Sequence, residues 1–327
     1  MTETPATAAE TLTITHCRES GTLIEGTAKG DGSNTVLKAS GWRWSRNLGT
    51  WYVPHSRDRA ARGHLINSTA EQLRAAGFTV ETDIDDTARP AAEVEQGKAQ
   101  RARDRAEALA NKANRRAAAA DQAQDSARAA AARLPEGGEP IKIGHHSENR
   151  HRNAIDKANR ATRRAIDADK DAQEAAERAD TAAQATARRH NPVTVANRIQ
   201  ALQADKRRAE RRLNGHTRTL FTQGESRYVE SHEPAQGGTA ERLREYITEL
   251  TDQITHWEGI RAEQIAAGEA TNYSRETIRK GDQVKFRGTW YEVRRVNPKS
   301  VTIPSMIGGS WTDTVVYHEL SGHRPAA

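Results

Sequence analysis

From Ala99 to Leu134, residues at alternate spacings of three and four are almost all apolar and mostly alanine. They are Ala99, Ala102, Ala106, Leu109, Ala113, Ala120, Ala123, Ala127, Ala130 and Leu134, with Arg116 as the one break. This spacing keeps one face of a helix apolar and predicts a heptad seam. Alanine has the highest helix propensity, so the segment is helical on local grounds. Its small side chain buries little area per turn, and such a seam needs length to hold. A second seam runs Ile155, Ala158, Thr162, Ala165, Asp169, Ala172, Ala176, Ala179, Ala183, Thr186, His190, with Asp169 as its break. Two matching seams joined by a short connection predict an antiparallel hairpin. Arms of roughly 40 residues would give a rod of about 60 Å, with Asp169 near Arg116.

Asn191-Pro192 ends the second arm, and Pro192 suits the first turn of a new helix. A third seam, Val195, Ile199, Leu202, Lys206, Ala209, Leu213, stops at Asn214-Gly215. A Gly-containing stretch to Gly238 reads as a loop. A fourth seam follows at Leu243, Ile247, Leu250, Ile254, Trp257, Arg261 and Gln264. These two carry Leu, Ile and Trp. They predict a hydrophobic core, as a second helical hairpin or as an intermolecular coil.

The flanks carry the period of strands. Residues 12–84 read as a small α+β domain, with strands near Leu12–His16, Thr22–Thr27 and Phe78–Thr82. Ser33 caps a short helix there, and a second helix runs from Arg57 to Ala76. Between them, Trp42 to Pro54 reads as a β-hairpin turning at Asn47–Gly49. Trp44 and Trp51 are candidates for a ligand-facing aromatic pair, with Arg43 and Arg46 beside them. The competing reading is that Trp42, Trp44 and Trp51 fill this small domain's core. Residues 278–320 read as a small β-barrel with strands 283–287, 290–296, 301–303 and 312–317. Trp290, Tyr291 and Trp311 either line a ligand face there or fill the barrel.

The fold class expected is therefore mainly α. A long antiparallel Ala-rich coiled-coil hairpin (91–190, turn motif 135–152) and a second helical pair (192–268) stand between an N-terminal α+β domain (12–84) and a C-terminal SH3-like β-barrel (278–320).

Composition agrees with extended solvated helices: hydrophobic residues make up 35% of the 327, aromatics 5% and charged residues 29%. A net charge of +6 is compatible with a polyanionic partner. Cys17 is the only cysteine, so no intrachain disulfide can form. The polar first ten residues do not read as a signal peptide, and no apolar run would span a bilayer, so the expectation is a cytoplasmic protein with no membrane partner.

The connection between the alanine arms, Gly144-His145-His146-Ser147-Glu148-Asn149-Arg150-His151-Arg152, holds the densest candidate chemistry. Three readings stay open. The backbone from Gly144 to Ser147, with Arg150 and Arg152, would hold an anion at a helix start capped by Ser147. Alternatively His145, His146, Glu148 and His151 would hold a metal, although the arginines oppose a cation. Or the histidines only cap the turn and pack against Ile141 and Ile143. A second anion candidate is the basic run Lys206, Arg207, Arg208, Arg211, Arg212, whose members recur one helical turn apart; its alternative is a solvated helix face. No Ser-His-Asp order, Walker loop or paired carboxylates mark a catalytic centre.

Three resemblances follow from these motifs. Pro140-Ile141-Lys142-Ile143 with the histidine run to Arg152, and Asn191-Pro192 with Asn197-Arg198-Ile199, resemble the domain-of-unknown-function family 3560 over roughly residues 90–265. The family pattern has Lys or Arg where Asn149 stands. The resemblance implies an accessory protein of plasmids or other mobile elements, with no assigned reaction. The Trp42–Pro54 hairpin resembles the tryptophan-bearing segment of HARP domains. Lys280-Gly281-Asp282-Gln283-Val284 with Trp290-Tyr291-Glu292-Val293 resembles SH3-like and KOW-type modules, which bind peptides, RNA or DNA.

The function expected is a non-enzymatic, nucleic-acid-associated accessory protein with no cofactor. One alternative is a coiled-coil scaffold that binds a protein partner or a second copy of itself through helices 192–213 and 240–265. The other is a metal-dependent enzyme at the histidine motif.

Overall fold

The computed structural model describes residues 11–135 and 138–326. Seven α-helices among these residues make up half of the chain, beside several β-sheets. The chain divides into two compact units, one of residues 1–95 with 206–253 and the other of 96–205 with 254–327.

The first unit opens with a five-stranded sheet. Its strands are β1 (Thr11–Cys17), β2 (Gly21–Glu25), β3 (Arg43–Ser45), β4 (Thr50–Tyr52) and β5 (Thr79–Asp85), in the order β3-β4-β2-β1-β5. Only β1 and β5 pair in parallel. Alternate residues Leu12, Ile14 and His16 of β1 point to the buried face, as the period of two requires. Helices α1 (Ser33–Ala39) and α2 (Gly63–Ala75) cover that face with Leu37, Ile66, Ala70 and Leu73. Trp42 and Trp51 complete this core, and the Trp42 indole N–H donates to Thr69 Oγ1 at 3.1 Å.

Helix α2 starts six residues later than Arg57. His55 and Asp58 adopt positive φ of 59° and 57°, which turns the chain. Within that turn Ser56 Oγ accepts the Thr22 N–H and donates to the Val53 carbonyl. A Cβ on Gly21, which holds φ 81°, would come within 2.5 Å of Ser56 Oγ, so the turn and β2 require glycine there.

Helices α3 (Ala91–Ala131) and α4 (Glu148–Ala183) form the long helical pair. In α3 every seam residue but Arg116 is at least half-buried. In α4 the seam is displaced by one residue at three points. Thr162, Ala176 and Ala183 are exposed, and Ala161, Ala175 and Ala182 are covered instead. The covered set Ala154, Ala158, Ala161, Ala165, Ala168, Ala172, Ala175, Ala179, Ala182 keeps the three–four spacing throughout. Adjacent alanines such as Ala175 and Ala176 are chemically identical, so pairing with α3 decides which is buried. Arg116 Nη1 meets Asp171 Oδ2 at 3.0 Å, a position two residues beyond the expected Asp169. The second arm is also divided at Gln184, after which α5 (Ala185–Arg189) completes it.

Helix α6 (Pro192–Asn214) begins as the sequence predicts: Pro192 is its first residue and the Asn191 side chain accepts the Val193 N–H at 3.0 Å. Helix α7 (Gly237–Ala266) runs antiparallel to it. Val195, Ile199 and Trp257 form a core flanked by Leu202 and Ile260, and Gln264 donates to the His190 carbonyl at 2.6 Å. This part of the two apolar seams thus packs within the chain.

The stretch read as a loop between α6 and α7 instead forms a hairpin, β6 (His216–Gln223) and β7 (Ser226–His232), turning at Gly224-Glu225. Both of its faces are largely exposed, and Phe221 stacks on Tyr228 with centroids 4.4 Å apart.

The C-terminal stretch forms two three-stranded sheets. One has the order β13-β8-β9 (Gly322–Arg324, Gln283–Phe286, Thr289–Glu292). The other is β10-β11-β12 (Arg295–Val296, Ser300–Pro304, Thr312–Val316). They share one core, including Val284, Val293, Val301, Ile303 and Leu320.

Candidate functional site

The histidine motif closes the α3–α4 pair. Pro135 and Pro140 keep the chain out of helix after α3, and Gly144, with φ 78°, turns it into α4. The Glu148 carboxylate, in the first turn of α4, reaches back to accept the Gly144 N–H at 2.6 Å. It also accepts from Arg152, whose Nε and Nη2 both lie 2.9 Å from Oε1. The Gly144 N–H and the Arg152 guanidinium hold the Glu148 carboxyl below its ordinary range, in that order of effect.

The anion that occupies this helix start is therefore the protein's own carboxylate. Two of the residues expected to hold an anion, Gly144 and Arg152, are engaged by Glu148. Ser147 stands at the N-cap, but its side chain makes no capping bond. Its Oγ lies 2.8 Å from His145 Nδ1, and its N–H donates to the same nitrogen at 3.3 Å. An Nδ1 that accepts places the proton of neutral His145 on Nε2. The His145 and His146 rings lie 4.0 Å apart, and both side chains are exposed with Arg150.

The metal reading needs His145, His146, Glu148 and His151 together, and they are not gathered. Glu148 serves Gly144 and Arg152. His151 is felt electrostatically by Glu139, whose carboxyl is lowered mainly by its bond to Lys142, 2.7 Å away. Among the described residues no group of three or more His, Cys, Asp or Glu side chains could hold a metal ion. Ile143 is 85% exposed, so the histidines do not pack against it.

The basic run lies in the last turns of α6. Lys206 is half-buried, and Arg207, Arg208, Arg211 and Arg212 are exposed. Positions 207 and 211, like 208 and 212, stack one turn apart and form a two-wide cationic strip. Arg211 and Arg212 also stand where the helix dipole favours positive charge.

The aromatic candidates divide. Trp51 is 7% exposed and belongs to the core, whereas its cross-strand partner Trp44 is 47% exposed. Trp44 meets Trp51 edge-on at 5.8 Å. Trp290 is half-covered: the Arg324 guanidinium sits 4.0 Å from its ring centroid, and Gly322 packs so closely that a Cβ there would lie 2.9 Å from the ring. Tyr291 packs against the C-terminal core, while Trp311 is 78% exposed. Sequence reasoning missed the β6–β7 hairpin and its Phe221–Tyr228 stack. The two-residue Gly224-Glu225 turn between β-branched and aromatic residues is the signal that marks it.

Fold and surface together define a helix-rich protein built on a long alanine-lined helical pair, with cations at the end of α6 and a histidine-bearing connection closing the pair. Residues 97–218 match the model of the family described as Domain of unknown function (DUF3560), and the histidine motif lies within the match. No curated protein and no solved structure matches the chain. Among the described residues no helix is long and apolar enough to cross a membrane.

Proposed function

We propose that this protein is a non-enzymatic accessory protein of a plasmid or other mobile element that associates with nucleic acid. The contacts run through the cationic strip on α6, with His145, His146 and Arg150 as further polar contacts at the connection between α3 and α4. The strip carries the reading: Arg207, Arg208, Arg211 and Arg212 project from two successive turns, which suits a phosphate backbone read by charge and not by base edges. The net charge of +6 agrees with it. In this reading α3 and α4 pair as a coiled coil, and the C-terminal sheets are an SH3-like module.

Fluorescence anisotropy with a labelled DNA duplex tests the proposal. Replacing Arg207 and Arg211 by glutamate is expected to weaken binding at least about tenfold, since each phosphate contact adds to a shared electrostatic free energy. Affinity equal to the parent's would reject the strip as the contact.

A protein-partner reading draws on the β6–β7 hairpin, where Leu220, Phe221, Tyr228 and Val229 are each about half exposed. Retention of a partner protein by the parent, lost on Phe221→Ser and kept by the Arg207/Arg211 variant, would favour it.

A further inference from the structure

The exposed Trp44 does not face open solvent alone. It forms one wall of a cavity of about 440 Å³, whose other walls are Trp51, the Thr27–Gly30 loop, Asn34 and Lys38. Lys29 and Lys38 both line it, both are exposed, and neither makes an ion pair among the described residues. Among the described residues no carboxylate lines it. The nearby Asp31 is turned into its own loop: Oδ2 accepts the Ala28 N–H at 2.8 Å, and Oδ1 accepts the Ser33 N–H at 2.8 Å and its hydroxyl at 2.7 Å. Burial alone would raise this carboxyl, but the bonds from Ser33 and Ala28 outweigh it and hold it low. Asp31 thus stays charged and fixes the loop that carries Lys29.

We infer that this cavity is a binding site for a nucleobase with its phosphate, the base lying on Trp44 and the phosphate held by Lys29 and Lys38. An indole face offers stacking to any base, and paired lysines, with the Asp31 carboxylate bonded into its own loop, suit a phosphate. Asn34 supplies both a donor and an acceptor to the base edge. The volume lies within the range of small-molecule sites. The buried Trp51 fixes Trp44 edge-on from beneath, so the exposed ring is held in place before a ligand arrives.

The ligand source is a free nucleotide or an unpaired stretch of nucleic acid. The inference deepens the nucleic-acid reading but uses a different surface from the α6 strip, so the two fail separately.

The test measures binding of a short oligothymidylate, thymidine monophosphate and a duplex to the full chain and its variants. Trp44→Ala is expected to weaken oligothymidylate binding about tenfold or more and to leave duplex binding unchanged. Trp44→Phe should restore most of the loss. Lys29→Gln with Lys38→Gln should lower the slope of log affinity against log salt for the oligonucleotide by about one. Circular dichroism on Trp44→Ala checks that the domain still folds, and Trp44→Phe serves in its place if it does not. Binding of the monophosphate, lost in Trp44→Ala, supports the cavity even where no polymer binds and so separates it from the α6 reading. Oligothymidylate binding by Trp44→Ala or the lysine variant equal to the parent's would overturn the inference. So would equal loss on oligonucleotide and duplex, or a parent that binds neither oligonucleotide nor monophosphate.

Discussion

Arg116 and Asp171 meet across the helical pair, Nη1 to Oδ2 at 3.0 Å, and the midpoint of the chain between them falls at Ile143 and Gly144. The pairing therefore counts outward evenly from the turn that Gly144 makes. Arg116 is the one polar residue in the α3 seam, and half of its side chain is exposed, so the break in the alanine row marks a rim where charge remains solvated. Exposed pairs of this kind contribute at most about 1 kcal/mol. A double-mutant cycle through Arg116→Ala and Asp171→Ala should give a coupling in that range, shrinking as salt rises. A coupling of zero at low salt would mean that the two side chains do not meet.

The register of the pair is open to a sharper check. Ala175 is buried and Ala176 is exposed. Ala175→Lys should lower stability by about 1–3 kcal/mol through overpacking and an unpaired charge at the interface. Ala176→Lys should change it by less than about 0.5 kcal/mol. Thermal unfolding of the two variants compares them directly, and equal losses would contradict the register.

The aromatic hairpin carries two tryptophans two residues apart with opposite roles. Trp42 is 2% exposed and its N–H is bonded to Thr69, while Trp44 is 47% exposed. Trp42→Ala should cost about 3–5 kcal/mol, and Trp44→Ala less than about 1 kcal/mol. Urea midpoints of the two variants would expose an error if their order were reversed.

His318 gives the fold a pH dependence. Its Nε2 lies 2.9 Å from Asn197 Oδ1, and its Nδ1 lies 3.3 Å from the Gln200 amide nitrogen, on the face of α6. Neutral imidazole with the proton on Nε2 satisfies both partners, whereas a proton on Nδ1 would oppose the Gln200 N–H. Burial lowers its pKa; Glu319 acts upward and Arg261 downward. A depressed folded-state pKa gives stability that is full above the unfolded value near 6.5 and is lost as pH falls through the folded value. Buried His16, lowered chiefly by burial, adds in the same sense. Thermal midpoints should fall as pH drops from 7 through the histidine range, and His318→Gln should reduce that dependence. A midpoint flat across this range in the parent would contradict the assignment.

Asp282 governs the acid side at the C-terminal sheets. It is 5% exposed and accepts from His323 Nε2 at 2.7 Å, the Arg279 N–H at 2.8 Å and the Ala326 N–H at 2.9 Å. Burial raises its carboxyl, and these bonds outweigh burial and bring it below the ordinary value. Its contribution is therefore full above the usual aspartate pKa and is lost as pH falls through the lower folded value. Asp282→Ala should cost about 2–4 kcal/mol, since it orphans three donors. A loss below 0.5 kcal/mol, a bound taken from ordinary surface substitutions, would show that water replaces the carboxylate without penalty.

The sequence discloses these elements unevenly, for physical reasons. Long periodic helices are legible because the three–four spacing repeats many times, and Asn191-Pro192 marks a boundary by its own chemistry. The α4 register is not legible where alanine follows alanine, since only the partner helix distinguishes them. The β6–β7 hairpin escapes because both its faces are exposed, so no alternation of apolar and polar residues betrays it. The histidine motif is legible as a helix start, but the bond from the Gly144 N–H to Glu148 is not, since it depends on the turn that Gly144 makes. The Trp44 cavity is hidden for another reason: Lys29, Lys38 and Trp44 are brought together by the sheet and by the Asp31 loop, not by spacing along the chain.

The central claim is that arginines at the end of α6 contact phosphate. The most direct test is the slope of log affinity against log salt for a DNA duplex. With Arg207, Arg208, Arg211 and Arg212 each facing one phosphate, a slope of about −3 to −4 is expected. Replacing all four by glutamine should bring it close to zero. A parent whose affinity does not change with salt, or a quadruple variant with the parent's slope, would contradict the claim.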